Sequence, residues 1–378
     1  MLIQSYPKLF NLNLNLSLNL NHTTEGSLMM QPILYILISF ILTYTLVPLV
    51  IKLAFRVGAV DNPSQRKVHT QPMPRLGGLA IYIGFTGIVL LTQPLTQQII
   101  GLLIGGTIIT ILGIFDDIKD ISPRLKLAGQ ILAACVLVVY NIDVDFITHP
   151  LGEGILPLGY LSIPVTIFWI VGITNAVNLI DGLDGLAAGI SVIAAITLAI
   201  VGFSEGQILM VTLALMLAAS TLGFLRYNFH PARIFMGDSG SMFLGFNLGA
   251  LAIMGLVKSV TIISIFVPVL ILGIPIFDTL FAIIRRIIND KPIFKADKEH
   301  LHHCLLNKGF THKQTVLIIY AINIFLGGTA IVLTYLTTVQ GMFILAIVST
   351  LTLWGAQKIG IMGRHHTSKQ LSQKTVGK

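Results

Sequence analysis

Charged residues are scarce in this chain: they make up 11% of its 378 residues, whereas hydrophobic residues make up 54%. A soluble domain of this length does not hide so much apolar surface, so the mean hydropathy of +0.86 excludes the ordinary soluble classes. The composition indicates a polytopic membrane protein. The net charge of +8 would suggest nucleic acid in a soluble chain. Here we attribute it to basic cytoplasmic loops and expect no nucleic-acid partner.

Cysteine is nearly absent, and so is any nucleotide-hydrolysis motif. The two cysteines, Cys135 in an apolar run and Cys304 in a basic loop, form no metal or disulfide spacing, so both are predicted to be free thiols. The chain also lacks a Walker-type GxxxxGK[ST] loop, which argues against ATP hydrolysis as its energy source.

The first 30 residues are of low complexity, with the run NLNLNLSLNLN, and lack the basic and apolar regions of a signal peptide. We interpret residues 1–30 as a disordered extension, or as untranslated if synthesis starts at Met29 or Met30. Residues 31–357 form the predicted membrane domain, and residues 358–378 a basic cytoplasmic tail.

Apolar runs long enough to cross a bilayer as helices follow one another through the membrane domain. Eleven are predicted, at about 32–54, 76–93, 97–115, 126–140, 161–180, 184–202, 207–225, 241–257, 261–284, 315–337 and 340–356. The fold class is therefore all-α, an integral membrane protein with about eleven transmembrane helices.

Lysine and arginine are concentrated in every second loop between the predicted spans. The loops after spans one, three, five, seven and nine and the C-terminal tail hold nearly all of them, and Lys258 is the clear exception. The positive-inside rule then predicts an external N-terminus and a cytoplasmic C-terminus.

Each cytoplasmic loop carries an unusual polar group. The stretch TNAVNLIDGLDGLAAG, Thr174 to Gly189, holds two amides and two carboxylates. If it continued as a helix, Asn175, Asn178, Asp181 and Asp184 would lie along one side and face one point. Polar groups at membrane depth are costly unless they face a cavity, a partner or a metal, although a plain polar loop is the alternative.

The other loops add carboxylates, glycines and histidines. Asp116 and Asp117 follow span three, Asp238 lies in MGDSGS after span seven, and His300, His302 and His303 follow span nine. Carboxylates gathered on one face repel one another unless a cation neutralises them, and an oxygen-rich, sulfur-free set suits Mg²⁺ or Mn²⁺. Gly237 and Gly240 form a tight turn or leave backbone N–H groups open to a phosphorylated ligand. For the histidines we consider two roles, zinc ligation and contact with a phosphate. No familiar zinc spacing supports zinc ligation.

A divalent metal, basic groups and histidines on one face of a membrane protein favour phosphoryl transfer between a soluble donor and a lipid acceptor. A transporter of a phosphorylated or anionic solute is the rival class, but its polar residues would extend through several spans. A membrane scaffold would leave the five polar motifs unexplained.

Five ordered motifs resemble the polyprenyl-phosphate N-acetylhexosamine-1-phosphate transferases. They are DNPSQRKVHTQPMPRLGG, FDDIKDISPRLKL, NAVNLIDGLDGLAAG, FMGDSGSMFLG and ADKEHLHHCLLNKG. The resemblance covers about residues 30 to 355. HLHHCLL and RKVHTQPMPRLGGLAIY look like the branch that uses UDP-GlcNAc, closest to the teichoic-acid-linkage type, and the alternative is a phospho-MurNAc-pentapeptide translocase-like enzyme. The run NDKPIFKAD departs from the family pattern at Asp290 and Ile293.

The resemblance implies a reaction in the bacterial cell membrane, with the active site on its cytoplasmic face. GlcNAc-1-phosphate passes from UDP-GlcNAc to undecaprenyl phosphate, giving the lipid pyrophosphoryl sugar and UMP, with Mg²⁺ as cofactor and Mn²⁺ as the alternative. This is the first membrane step of a cell-envelope polysaccharide, and a homodimer is compatible with it. We expect direct in-line attack, with a covalent aspartyl-phosphate route as the alternative.

The resemblance also assigns roles by position. Asn178 and Asp238 look like the metal ligands, and Asp116 or Asp117 like the group that deprotonates or orients the lipid phosphate. Asp181 and Asp184 resemble supporting carboxylates, and Asn175 a structural amide. The implied substrate contacts and histidine motif comprise Lys67, Lys126, Phe235 (on uracil), His300, His302 and His303.

Overall fold

The computed structural model describes residues 21–63, 71–148, 155–256, 263–289 and 299–361, and within these ranges the side chains from residue 31 onward except at 147, 148, 155, 256 and 263–265. Thirteen α-helices occur in these ranges: α1 Asn21–Val57, α2 Gly77–Thr92, α3 Gln97–Lys119, α4 Pro123–Val139, α5 Ser162–Leu179, α6 Leu186–Ser204, α7 Ile208–Asn228, α8 Gly237–Leu256, α9 Ile263–Ile271, α10 Gly273–Ile288, α11 Leu301–Asn307, α12 His312–Leu333 and α13 Thr338–Ile359. The all-α prediction is confirmed. Residues 1–20, which form most of the low-complexity extension, lie outside the described residues, and so do Lys258, Asp290 and Ile293.

Two short antiparallel hairpins and one 3₁₀ turn, Gly159–Leu161, complete the described elements. Strand β1 (Val60–Asp61) pairs with β2 (Met73–Pro74), and β3 (Phe146–Thr148) pairs with β4 (Ile155–Pro157). The first hairpin leads directly into α2 and continues into the site: the N–H of Phe235 donates to the carbonyl of Pro74 over 2.8 Å. The segment before α8 is thereby attached to the segment before α2.

Local sequence explains several helix ends. Thr96 and Ser122 accept a hydrogen bond from the backbone N–H three residues on, at the starts of α3 and α4. Thr311 begins α12 with a capping box completed by Gln314, and Thr337 and Gln340 do the same for α13. Polar caps at these ends satisfy N–H groups that no helical carbonyl reaches.

Seven helices in the described ranges are long and apolar enough to cross a membrane: α1, α3, α6, α7, α12, α13 and the segment Gly159–Leu179 that contains α5. A polytopic membrane protein is therefore confirmed. A helix covers most of each predicted span, but the count of eleven and the orientation stay predictions. The predicted single span 261–284 is wrong, because the described part divides into α9 and α10 at Leu272. Pro275 lacks the N–H that an unbroken helix would use there.

Helix α8 lies at the centre and packs against α2, α3, α5 and α6. Glycines permit the closest contacts. A Cβ placed on Gly113 of α3 would lie 2.3 Å from the Cα of Ser239, and one on Gly78 of α2 would lie 2.0 Å from the N of Gly240. The first turn of α8 is therefore held against both α2 and α3, which brings the motif loops together.

Candidate active site

The ends of three helices meet around one lysine. Lys126, in the first turns of α4, forms a salt bridge of 2.7 Å with Asp116 at the end of α3 and a second one with Asp238 in the first turn of α8. Two acidic residues that lie 122 positions apart in sequence therefore share one cation, which offsets part of their repulsion.

Asp117 points away from Lys126 and caps α8. Its two carboxylate oxygens accept hydrogen bonds from the N–H of Asp238 at 2.8 Å and of Ser239 at 3.1 Å, and the residue is 3% exposed. A carboxylate at a helix N-terminus is favoured by the N–H groups and by the helix dipole. Of the two alternatives for the glycines of this motif, the tight turn is observed at Gly237, and the N–H groups of Asp238 and Ser239 are not open to a ligand because Asp117 occupies them.

Gly237 is required at this contact. Its φ is +72°, and a Cβ there would lie 2.5 Å from Asp117 Oδ2 and 2.4 Å from the carbonyl of Arg75. A side chain would force Asp117 off the helix end, so glycine serves both the turn and the close approach.

Arg75 fixes the C-terminal end of α3. Its guanidinium donates to the carbonyls of Asp117 at 2.9 Å and Asp116 at 3.2 Å, and it forms a salt bridge of 2.7 Å with Asp120. Carbonyls at a helix end lack helical partners, so this cation satisfies them and opposes the negative end of the dipole. The loop after α1 thus holds the acidic pair in place.

Asn178 reaches the same group from α5. Its amide donates to Ser241 Oγ of α8 at 2.8 Å, and it also hydrogen-bonds the Asp238 carboxylate. One turn back, Asn175 exchanges hydrogen bonds with Gln130 of α4, at 2.7 Å and 3.3 Å. Asn178 therefore faces the acidic group, while Asn175 joins two helices.

The four polar residues of this motif do not lie along one helix face. Helix α5 ends at Leu179, and Asp181 and Asp184 occupy the loop before α6. Of the two alternatives for this stretch, the loop is the one observed beyond Leu179, because the chain turns at Gly182 and Gly185, and Gly185 adopts a φ of +77° as the N-cap of α6. The side chains separate accordingly.

Asp181 stays with the carboxylates of α3 and α8. The pKa of Asp181 is raised to about 8, first by burial of its carboxyl group and then by the negative charges of Asp238, Asp117 and Asp184. Burial and the surrounding negative charge thus favour the neutral form of this carboxyl group, and an approaching cation would favour the ionised form. An oxygen-only donor set with excess negative charge fits a hard divalent cation such as Mg²⁺.

Asp184 belongs to a different cluster. Its carboxylate lies 2.9 Å from His230 Nδ1 and accepts the N–H of Ala232 at 3.1 Å. The ring of His312, at the start of α12, stacks on that of His230 with centroids 4.2 Å apart. Nitrogen or oxygen atoms of Asp184, His230 and His312 all lie within 4.8 Å of one another. The loop before α8 and the start of α12 are thus joined through Asp184.

The histidine motif lies against a carboxylate that the sequence reading missed. Asp278 of α10, 4% exposed, accepts from His300 Nδ1 and from the N–H of Leu301, both at 2.8 Å. The ring of His302 packs on the loop after α5, since a Cβ on Gly182 would lie 2.5 Å from its Nε2. Asp278 therefore positions the motif, and His302 brings it to the loop that carries Asp181.

Burial keeps His302 uncharged. The pKa of His302 is lowered to about 3, first by desolvation and then by the neighbouring His303. The rings of His302 and His303 lie 4.2 Å apart, and His302 Nδ1 is buried without a hydrogen-bond partner in the described residues. His302 is thus a neutral imidazole at physiological pH.

Two predicted substrate contacts, Phe235 and Lys67, remain to be placed. Phe235 precedes Asp238 by three residues, and its backbone bonds to Pro74 and Gly77 place it beside the start of α2. Lys67 lies outside the described residues. The residues that sequence reasoning missed are Asp278, His230, His312 and the capping role of Arg75. Of these, only Asp278 had a usable signal, a carboxylate inside an apolar span.

Neither Cys135 nor Cys304 forms a disulfide within the described residues, in agreement with the prediction of two thiols.

Comparison with known proteins gives a consistent family. The model of glycosyl transferase family 4 matches residues 99–256, which include α3 to α8. A probable undecaprenyl-phosphate N-acetylglucosaminyl 1-phosphate transferase of Bacillus subtilis is 47% identical over 320 residues, covering 84% of this chain and 89% of that protein. A decaprenyl-phosphate N-acetylglucosaminephosphotransferase of Mycobacterium leprae is 39% identical, covering 74% and 78%.

A more distant relative is the undecaprenyl-phosphate alpha-N-acetylglucosaminyl 1-phosphate transferase of Yersinia pestis, which is 26% identical over 273 residues, covering 71% and 75%. The resemblance carried by the five motifs is therefore confirmed. The chain belongs to glycosyl transferase family 4, with these polyprenyl-phosphate N-acetylglucosamine-1-phosphate transferases.

Proposed function

We propose that this protein transfers GlcNAc-1-phosphate from UDP-GlcNAc to undecaprenyl phosphate. The products are undecaprenyl-pyrophosphoryl-GlcNAc and UMP, and the reaction is the first membrane step of a cell-envelope polysaccharide. The relatives' names supply the sugar phosphate and the polyprenyl acceptor. The site is assigned to the cytoplasmic face of the bacterial cell membrane, where basic loops gather.

The observation that carries the proposal is the meeting of Asp116, Lys126 and Asp238, which come from three different helices. Phosphoryl transfer needs positioned positive charge and a metal-binding carboxylate set, and little covalent chemistry from the protein. Lys126 supplies a cation within reach of both carboxylates, and Asn178 adds a neutral oxygen donor beside Asp238.

The oxygen donors of the site fit Mg²⁺, and Mn²⁺ is the alternative ion. Asp238 and Asn178 would hold it, with Asp116, which shares Lys126 with Asp238, and Asp181 as further carboxylates of the site. When bound, it supplies neutralisation of charge on the donor's pyrophosphate. Asp117 is less available as a ligand, because both of its oxygens already accept hydrogen bonds from α8.

The transfer proceeds by direct attack in this proposal. An oxygen of the lipid phosphate forms a bond to the β-phosphorus of UDP-GlcNAc, while the bond from that phosphorus to the bridging oxygen breaks and UMP leaves with the electron pair. A phosphate monoester has a second pKa of about 6, so the attacking oxygen is largely ionised without a base. Asp116 then orients the acceptor through Lys126, and the main work of the chain is alignment.

The remaining side chains bind the donor. Lys126 contacts the pyrophosphate, and Phe235 is assigned to the uracil ring. His300 and His303 face the phosphate and sugar, and the neutral His302 can donate or accept a hydrogen bond there but adds no charge. Asp184 supports this side of the site through the loop that holds His230.

The test incubates the purified protein with radiolabelled UDP-GlcNAc, undecaprenyl phosphate and Mg²⁺, and measures label in lipid and release of UMP. We expect both in equal amounts, loss of both with a chelator, and recovery with Mg²⁺ or Mn²⁺. Transfer from UDP-MurNAc-pentapeptide in place of UDP-GlcNAc would instead identify the translocase-like alternative.

Two further arms separate rival classes. Uptake of UDP-GlcNAc into proteoliposomes without lipid labelling would identify a transporter and overturn the proposal. Incubation with donor alone tests the chemistry: a phosphorylated aspartate trapped under these conditions would replace direct attack by the two-step route.

A further inference from the structure

A groove runs along the outside of the bundle between α1 and α7. Its volume is about 760 Å³, and its wall is formed by aromatic and aliphatic side chains and by two arginines. The lining includes the apolar and aromatic side chains of Phe40, Tyr44, Leu222 and Tyr227 and the basic side chains of Arg226 and Arg233. Because α1 and α7 are both long and apolar enough to span a membrane, we take the exposed wall between them as a lipid-facing surface.

The apolar part of the groove is preformed by aromatic contacts. The Phe40 and Tyr44 rings stack with centroids 6.1 Å apart, and Tyr44 lies 5.2 Å from Tyr227 across the two helices. Close packing of α7 on α1 at Gly223, where a Cβ would lie 2.6 Å from the carbonyl of Phe40, fixes the floor. A chain of methylene groups fits such a surface, and tyrosines are typical of the membrane interface.

The charged part lies at one end. Arg226 is in the last turn of α7, and Arg233 follows in the loop that leads to α8. Both are exposed, and in the described part of the chain neither guanidinium has a hydrogen-bond or ion-pair partner. Leu222 lies one helical turn deeper than Arg226, so the positive end of the groove is at headgroup level and the apolar end lies below it.

We propose that this groove binds an anionic glycerophospholipid of the bilayer, with its phosphate at Arg226 and Arg233 and an acyl chain along Phe40 and Leu222. Arginine recognises phosphate through paired N–H donors, and basic residues at the membrane surface attract anionic lipids. The lipid acceptor of the transfer reaction is a poorer occupant, since the lining includes none of Asp116, Asp117 or Asp238 and reaches the proposed site only at His230, the partner of Asp184.

The charge test is native mass spectrometry of delipidated protein with phosphatidylglycerol or phosphatidylcholine of matched chains. The wild type should bind phosphatidylglycerol about thirtyfold more tightly, since each basic residue near the anionic group contributes about a factor of five. The double variant Arg226→Gln, Arg233→Gln should lose that preference. The control Arg124→Gln removes an exposed arginine that does not line the groove and should keep it.

A second variant tests the apolar half without changing charge. Leu222→Trp fills the groove and should weaken phosphatidylglycerol binding about tenfold or more, whereas Leu317→Trp, at an exposed position on α12, should not. Equal lipid preference in wild type and double variant would overturn the proposal. So would a dimer in the same spectra that the double variant abolishes, or selective binding of undecaprenyl phosphate at these arginines.

Discussion

The neighbours Asp116 and Asp117 have different tasks at the end of α3. Asp116 shares Lys126 with Asp238, while Asp117 is buried and bonded to the first N–H groups of α8. Loss of either carboxylate therefore has a different physical meaning. Substitution of Asp116 changes the charge that faces the substrates, whereas substitution of Asp117 loosens the contact between two helices.

Asp238→Asn removes one charge at the point where α5 and α8 meet. We expect transfer to fall by about 10²–10³-fold, because a group aimed at developing charge is lost while the amide keeps the packing. Label transfer into lipid is the measurement. Asp143→Asn, in the loop after α4, is the matched control and should retain activity. Normal turnover of Asp238→Asn at saturating Mg²⁺ would remove this residue from the site.

Asp278→Asn tests how the histidine motif is positioned. An amide at this place accepts only one of the two hydrogen bonds from His300 and Leu301, so His300 should switch tautomer or rotate. We expect a fall of about 10–100-fold in kcat, by analogy with partners that orient metal-bound histidines, and a smaller change in KM for UDP-GlcNAc. A rise in KM of similar size with kcat unchanged would mean that His300 acts only in donor binding.

His302 makes stability depend on pH. Its pKa is lowered from 6.5 to about 3 in the folded chain, so between these values the unfolded chain binds the extra proton. The free energy of unfolding should therefore rise with pH across that window. The contribution of His302 is complete above about pH 6.5 and decreases as the pH falls towards 3. Thermal unfolding from pH 4 to 7 should be flatter in His302→Gln than in the wild type. An unchanged slope would show that other groups dominate.

At this scale the sequence could predict which residue types gather but not which atoms meet. Asp116, Lys126 and Asp238 follow from loops assigned to one face, yet their contact depends on how α3, α4 and α8 cross. Asp278 was missed although a carboxylate inside an apolar span is itself a signal, because no other polar group near it in the sequence indicates its partner. The capping role of Asp117 is invisible without the distance to α8.

Among the elements, glycines decide how closely helices approach. Gly113 and Gly78 let α3 and α2 meet the backbone of α8, and Gly185 ends the loop after α5. The sequence predicted helices at nearly the right residues because apolar runs of this length have few alternatives in a membrane. It failed at the short break at Leu272, since proline in an apolar run is compatible with continuation of the helix.

Gly113→Ala should separate α3 from α8. The added Cβ would lie 2.3 Å from Ser239 Cα, so the helices must shift, at a cost of about 1–3 kcal/mol. We expect a lower unfolding temperature and a larger loss of transfer than of membrane insertion. Gly328→Ala, where nothing lies within 4 Å of the new atom, is the control. Wild-type activity in Gly113→Ala would mean that α8 tolerates displacement at its first turn.

For the whole molecule, charge asymmetry predicts that the motif loops face the cytoplasm. An impermeant maleimide should label Cys304 in inverted vesicles but not in intact cells, in a Cys135→Ala background. Glu205 lies directly after α6, in a loop predicted to be external. The variant Glu205→Cys in a Cys304→Ala background should therefore give the opposite labelling pattern. Labelling of Cys304 from outside would reverse the orientation and exclude a cytoplasmic sugar-nucleotide site.

The cap that Asp117 forms on the central helix α8 also bears on inhibition. A compound that gains its affinity from Asp238 or Lys126 contacts side chains whose packing tolerates an isosteric change. A compound whose affinity depends on the position of Asp117 instead contacts a residue that accepts hydrogen bonds from two backbone N–H groups of α8. Resistance by substitution at Asp117 would loosen the centre of the bundle, so such escape variants should arise less often and fold less well.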